Sequence, residues 1–363
     1  MKQYLRKATF WAVAISGLAL LGAVSSRAAI VVDQSAAIGA ASCTGALTQY
    51  NTIQSAVSAA TSGATIEVCP GTYAEQVTIA TTLTLKGVTD TTDNAGAVVV
   101  TIPGGTFSGA FTQILIEATG VTLTDIGVDG TNTLSSCGPS LTGILFASGS
   151  SGTLKDVALR NHYVSNGSGG YCYAGTPVSA NGATSVTVTD SSVRNFDSQG
   201  FGLTATATVT VKTTTVAPIN PGANCVYANA ATVEVSGNSM ADCAIGVYVT
   251  STLQGTVSGN TIHGGSSGGT GVFCFPTCTG LTVSGNQIFD TGNGFSIKVS
   301  GEVGGVVFEN NDVYGTTNGV YLYLQPNNTV SNNTFNDAQV GVNGASGNTV
   351  SGNTYRTVTT LTQ

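Results

Sequence analysis

One short phrase returns six times between Thr232 and Tyr355, and it restricts the fold more than any other feature of the chain. It reads Val235-Ser-Gly-Asn238-Ser-Met240, Val257-Ser-Gly-Asn260-Thr-Ile262 and Val283-Ser-Gly-Asn286-Gln-Ile288. It continues as Phe308-Glu-Asn-Asn311-Asp-Val313, Val330-Ser-Asn-Asn333-Thr-Phe335 and Val350-Ser-Gly-Asn353-Thr-Tyr355. Every copy keeps an apolar anchor, an asparagine three positions on, and a second apolar residue two beyond that. The anchors step by 22, 26, 25, 22 and 20 residues, the period of a stacked supersecondary unit. A second phrase follows most copies: Gly246-Val-Tyr-Val, Gly271-Val-Phe-Cys, Gly294-Phe-Ser-Ile and Gly319-Val-Tyr-Leu.

The unit is too short and too β-branched for a helical repeat. Alternating segments of three to five residues between Gly and Asn read as short strands joined by tight turns. Three strands per coil, like stacked on like, make a parallel β-helix: an all-β, single-chain solenoid. One coil cannot bury its apolar residues alone, so its neighbours must cover them. The fixed asparagines Asn238, Asn260, Asn286, Asn311, Asn333 and Asn353 then stack at the rung spacing of ~4.8 Å. Each amide can donate to one neighbour and accept from the other. Asparagine also suits a left-handed corner.

This repeat resembles the right-handed parallel β-helix proteins of the pectin lyase-like group, which carry asparagine ladders at one corner. Within that group it is most similar to secreted bacterial β-helix-repeat proteins of unassigned activity. The resemblance covers nearly all of the chain after its first segment and implies the fold. We find no paired-aspartate and Gly-His-Gly set like that of polygalacturonases. The Gln-Asp and Arg-Pro-Trp features of pectin methylesterases and the calcium-binding and Arg-rich motif of the main pectate lyases are also missing. Those activities are therefore not carried over.

The N-terminus reads as a secretion signal over residues 1–28. Lys2, Arg6 and Lys7 precede an apolar run from Ala8 to Val24, and Ser26-Arg27-Ala28 fits a small-x-small cleavage site. Residues 29–363 are expected to form one β-helix domain, because a solenoid grows by rungs around one continuous core. Cleavage removes four basic residues and no acid, moving the formal charge from −7 to −11. That balance disfavours nucleic acid and anionic membrane as partners. We expect a secreted, periplasmic or cell-surface monomer.

Eight cysteines after a signal sequence argue for disulfides in an oxidising compartment. No C-x-x-C pair exists, and His162 and His263 stand apart from any cysteine. Sequential pairing is the expectation: Cys43–Cys69, Cys137–Cys172, Cys225–Cys243 and Cys274–Cys278. The spacing alone allows other connectivities.

Residues 50–79 resemble the family's opening, and residues 50–62 read as a capping helix. Ile53, Ala56, Val57 and Ala60 share one helical face, and Ser62-Gly63 ends it. Such a helix can cover the open end of the first coil. Leu123, Leu154, Val188 and Val211 carry the anchor position backwards. The two long steps hold loops over residues 130–142 and 161–177, and long loops on a regular scaffold often carry function.

Aligned rungs turn the sequence into surface columns. Two positions past the anchor stand Asp125, Asp156 and Asp190, a candidate calcium-binding column or a set of turn-capping residues. Six positions past it stand Asp129, Arg160 and Arg194, with His263 three rungs further on. These four are candidate catalytic residues: an arginine base and a carboxylate suit a uronic-acid lyase, and paired carboxyls suit a glycosidase. The competing reading is an exposed ion pair with a solvating role.

The second phrase supplies another column. Val226, Val247, Val272, Phe295 and Val320 are expected inward, so Tyr227, Tyr248, Phe273, Ser296 and Tyr321 face outward. Phe275, Lys298 and Tyr323 lie two positions on. In related β-helices this strand often lines the groove holding a sugar chain. Tyr227, Tyr248, Phe273, Lys298, Tyr321 and Tyr323 are therefore candidate substrate-binding residues. The leading functional expectation is engagement of an extended polysaccharide along one face. A polysaccharide lyase or glycoside hydrolase is one alternative, a non-catalytic structural or adhesion protein the other. No cofactor is expected apart from calcium at the aspartate column.

Overall fold

Each repeat folds into three short strands. In one rung these are the anchor strand Thr232–Ser236, a second strand Ser239–Cys243 and a third strand Ile245–Thr250. They pair in parallel with the equivalent strands of the next rung, Gln254–Ser258, Thr261–Gly264 and Thr270–Cys274. A computed structural model describes residues 29–88, 97–265, 268–297, 304–323 and 325–363. Parallel pairing runs through them from Ile30–Val32 to Thr360–Thr362. The signal segment 1–28 and Lys298 lie outside the described residues.

Registered stacking makes the core a set of vertical columns. Val211, Val235, Val257, Val283, Phe308 and Val330 lie one above another and are fully buried. The expected inward column Val226, Val247, Val272, Phe295 and Val320 is also in register and fully buried. The glycine opening the second phrase has a steric cause. A Cβ at Gly246, Gly271, Gly294 or Gly319 would meet the carbonyl oxygen of the glycine one rung on at 2.5–2.6 Å.

The six fixed asparagines form the ladder. Asn238 Nδ2 donates to Asn260 Oδ1 at 2.9 Å. The same bond joins Asn260 to Asn286, Asn286 to Asn311, Asn311 to Asn333 and Asn333 to Asn353 at 2.9–3.0 Å. The other Nδ2 hydrogen reaches the anchor carbonyl one rung back, at Val211, Val235, Val257, Val283, Phe308 and Val330. Oδ1 also accepts the backbone N–H of the preceding ladder residue. Every polar atom of an interior amide is thus satisfied out of water.

One expectation about this corner needs correction. The left-handed residue is not the asparagine but the one before it. Gly237, Gly259, Gly285, Asn310, Asn332 and Gly352 have φ between 57° and 67°. The column continues upstream through Thr213, Asp190, Asp156 and Asp125, also at positive φ. The chain there turns so sharply that its N–H points at the next rung's carbonyl, as in Asp156 to Thr189 and Gly237 to Ser258. Glycine meets that φ without strain, and Asn or Asp meets it with little.

At the N-terminal end a helix spans Ile53–Ala59, shorter than the expected span because Ala60 is already its extended cap. Thr52 caps it, and both Glu75 carboxylate oxygens accept N–H groups of its first turn, from Ile53 and Gln54 at 2.8 Å. Ile53, Ala56 and Val57 are buried against the first rungs. A strand missed in the sequence, Ile30–Val32, precedes the helix and pairs with Ile66–Val68. The four expected disulfides form, with Cα–Cα distances of 5.8, 5.3, 5.6 and 6.1 Å in chain order.

Two outcomes test this scaffold. Asn286→Leu should destabilise by roughly 1–3 kcal/mol by orphaning buried partners, whereas Gln287→Leu next door on the surface should be near neutral. Equal melting temperatures for the two would reject the ladder's role. The denatured, unreduced protein should show no reactive thiol; two or more in a thiol assay would break the disulfide assignment.

Candidate functional site

The candidate ionic cluster lies on second strands, two of which end where the long loops begin. Asp129, Arg160 and Arg194 lie side by side in the second strands of three successive rungs. Arg160 Nε donates to Asp129 Oδ2 at 2.8 Å. Asp129 Oδ1 accepts from the Thr131 N–H, the Thr131 hydroxyl and Asn161 Nδ2. Burial opposes ionisation of this carboxyl, but hydrogen bonds from Thr131, Arg160 and Asn161 outweigh it and hold its pKa at about 2. A carboxylate so fully bonded anchors the base of the 130–142 loop. His263 is not part of this group: Ala217 follows Arg194 in the register, and His263 lies further along the same face.

Two buried polar residues complete the loop base. His162 is fully buried, with Nε2 2.9 Å from Gln113 Oε1, and burial lowers its pKa to about 3. Asp197 is also buried, and its carboxylate accepts the N–H groups of Val164, Ala174 and Gly175. Burial pushes its pKa up against those bonds. These groups clamp the 161–177 loop, which Cys137–Cys172 ties to its neighbour. Neither was singled out for this role in the sequence, where each is a lone polar residue.

The aspartates Asp125, Asp156 and Asp190 stand on consecutive rungs, each with a local partner. Asp125 accepts from the Thr124 hydroxyl, Asp156 lies 3.6 Å from Lys155 Nζ, and Asp190 accepts from the Thr213 hydroxyl. Their left-handed backbone gives the column a turn-forming role. Among the described residues no three His, Cys, Asp or Glu side chains are grouped to hold a metal ion.

The third strands carry an aromatic row. Tyr227, Tyr248 and Phe273 are in register and half-buried, with ring centroids 5.2 and 5.0 Å apart. Burial, with Tyr227 alongside, pushes the Tyr248 phenol's pKa up. Ser296 interrupts the row and is buried, so Tyr321 stands apart and meets Tyr323 instead, at 5.9 Å. Phe275 extends the surface beside Phe273, its ring parallel at 6.3 Å.

The turn between second and third strands forms a groove that the sequence did not reveal. Its volume is about 690 Å³, and Asp290, Thr291, Gly315, Thr316, Asp337 and Gln339 are among its lining residues. Asp242, Asp290, Gly315 and Asp337 take positive φ at this corner. On the adjoining second strands His263, Phe289 and Tyr314 stack, with centroids 5.0 and 4.9 Å apart and the last two rings parallel within 1°. His263 Nδ1 lies 3.2 Å from Asp242 Oδ1, and Nε2 lies 3.5 Å from Asp290 Oδ2. The signal was available seven positions past the anchors, where Asp242, Asp290 and Asp337 recur, but the mixed residue types between them hid it.

Comparison with known proteins fits this geometry. The family model described as a right-handed β-helix region matches residues 131–304. XylC in complex with xylose superposes with a TM-score of 0.61 at 11% identity, covering 86% of this chain and 76% of that one. The A-module of an Azotobacter vinelandii mannuronan C-5 epimerase gives 0.53 at 16%, covering 85% and 94%. The chain folds as a right-handed parallel β-helix, as these proteins do. A DFA-IIIase from Arthrobacter chlorophenolicus A6, in complex with GF2, matches this β-helix with a TM-score of 0.55 at 13%, covering 79% and 77%. No curated protein sequence matches the chain. A second family model, described as a periplasmic copper-binding protein (NosD), matches residues 256–360. The donor set does not fit copper. All eight cysteines are in disulfides, His162 is buried against Gln113, and His263 lies between two carboxylates and stacks on Phe289.

The Asp129 cluster predicts a pH signature. A folded pKa of about 2 lies below the unfolded value near 3.9. Its contribution is therefore full above the unfolded value and lost as pH falls through about 2. Asp129→Asn should lower stability by roughly 1–3 kcal/mol at pH 7, and the gap in melting temperature should close towards pH 2. A gap independent of pH would reject the assignment.

Proposed function

We propose that this β-helix acts outside the cytoplasm and binds an extended polysaccharide along its third-strand face, without turnover. The observation carrying this reading is the registered row Tyr227, Tyr248 and Phe273, half-exposed on the third strands of successive rungs. The C–H face of a sugar ring packs on an aromatic face, and several rings at rung spacing can track one chain. Solved structures of the same fold include a mannuronan epimerase and a complex with xylose, which supports a carbohydrate ligand. Four disulfides support an oxidising compartment. Binding is favoured over lyase or hydrolase chemistry because Asp129 is saturated by structural bonds and His263 lies apart from Arg160 and Arg194.

Tyr248→Ala with Phe273→Ala should weaken glycan affinity by roughly 1–3 kcal/mol, taking each ring at the aromatic-pair magnitude, with an unchanged circular dichroism spectrum. Affinity electrophoresis in glycan-containing gels reads this directly. Unaltered retardation by every glycan that retards the parent protein would overturn the assignment of the row.

A further inference from the structure

We propose that the groove between second and third strands takes a neutral sugar chain, laid along the solenoid axis, and rejects polyuronates. The inference rests on the glycan-binding reading and specifies its substrate class. It starts from the carboxylates. Asp242, Asp290 and Asp337 occupy the left-handed corner of alternate rungs, seven positions past anchors Val235, Val283 and Val330. The rung between the first two carries His263 and Gly264, and the rung between the last two carries Gly315. With rungs ~4.8 Å apart, a carboxylate recurs every ~9.6 Å. That is close to the length of a disaccharide in an extended chain.

Other features make this a site rather than an acidic patch. The groove of about 690 Å³ gives room for several sugar rings along its length. Thr316 lines it and is almost wholly buried, yet its hydroxyl has no hydrogen-bond partner among the described residues. A native structure seldom leaves a buried hydroxyl unpaired, and a ligand hydroxyl can satisfy it. The half-exposed Phe289 and Tyr314 rings, stacked at 4.9 Å, stand immediately before the lining residues Asp290 and Gly315.

The sign of the charge then selects the ligand. Asp290 and Asp337 line the groove, and no lysine or arginine does so among the described residues. A polyuronate would bring a carboxylate per sugar over these aspartates in a chain that is already strongly acidic. A neutral chain offers hydroxyl donors, and an ionised carboxylate can accept from two neighbouring hydroxyls at once.

Affinity electrophoresis of the mature protein tests this. Gels carry a neutral glucan, xylan or galactomannan, or else polygalacturonate or alginate. At least one neutral glycan should retard the parent protein, and neither polyuronate should. Tyr314→Ala should weaken neutral-glycan binding by up to about tenfold. Asp290→Asn with Asp337→Asn keeps the corner backbone and removes the charge. It should weaken neutral binding several-fold and narrow the discrimination against polyuronate, with unchanged circular dichroism. Retardation by polyuronate but by no neutral glycan would overturn the inference while leaving the glycan-binding reading intact. So would neutral-glycan binding that survives all three groove changes but is lost with Tyr248→Ala and Phe273→Ala. No retardation by any glycan would instead remove the binding reading, and this inference with it.

Discussion

The rungs from Asn238 to Asn353 depend on the buried amide ladder. An asparagine side chain buried without partners is costly, because two donors and an acceptor leave water together. Here periodicity supplies every partner. Each interior Nδ2 finds one carbonyl in the rung behind and one amide in the rung ahead, and each interior Oδ1 accepts two N–H groups. Aspartate could not serve, since it donates nothing when ionised. The ladder therefore ties rung spacing, corner conformation and side-chain identity into one condition. Upstream the condition relaxes in steps. Thr214 and Ser191 replace the amide with hydroxyls, and Val157 and Ile126 replace it with buried apolar groups. The residue before the ladder position changes in parallel, from glycine or asparagine to Thr213 and then aspartate.

That condition explains what was legible beforehand. The anchors, the six asparagines and the inward valine column could be read because each must recur at every rung. The strand Ile30–Val32 could not, since it has no repeat phrase and pairs on one side with a later rung. The Tyr227 row was visible, but its break was not. Ser296 sits at the row's position, and its burial depends on packing that the sequence does not express. The loop clamp at Asp197 was equally hidden, because its partners are backbone N–H groups of Val164, Ala174 and Gly175. Any residue types could have supplied those groups.

The candidate site was legible only as two halves. Asp129, Arg160 and Arg194 were correctly placed together by counting from the anchor, yet counting could not show that Thr131 and Asn161 saturate Asp129. His263 belonged to the same count but not to the same neighbourhood. Its neighbours, Asp242 and Asp290, lie one position further along the repeat, on the rungs before and after it. A column analysis that follows one offset at a time misses a site assembled from two adjacent offsets.

The spacing of the groove aspartates has an electrostatic cause of its own. At the ladder corner, Asp125, Asp156 and Asp190 stand on consecutive rungs, and Lys155 and Lys212 stand immediately before the second and the Thr213 corner. At the groove corner the side chain bridging Asp242 and Asp290 is His263, and no lysine or arginine lines the groove among the described residues. Carboxylates on adjacent rungs would there sit ~4.8 Å apart, whereas alternate rungs put them ~9.6 Å apart, beyond the Debye length of about 8 Å at physiological salt. Repulsion between neighbouring carboxylates favours the wider interval. It does not account for the choice of acid, because glycine and asparagine fill the same left-handed position elsewhere, at Gly315 and Asn195. The backbone asks for a small or turn-tolerant residue, and the charge is an addition to that demand. A surface so poor in charge that places Asp290 and Asp337 along one groove gives that groove a negative potential.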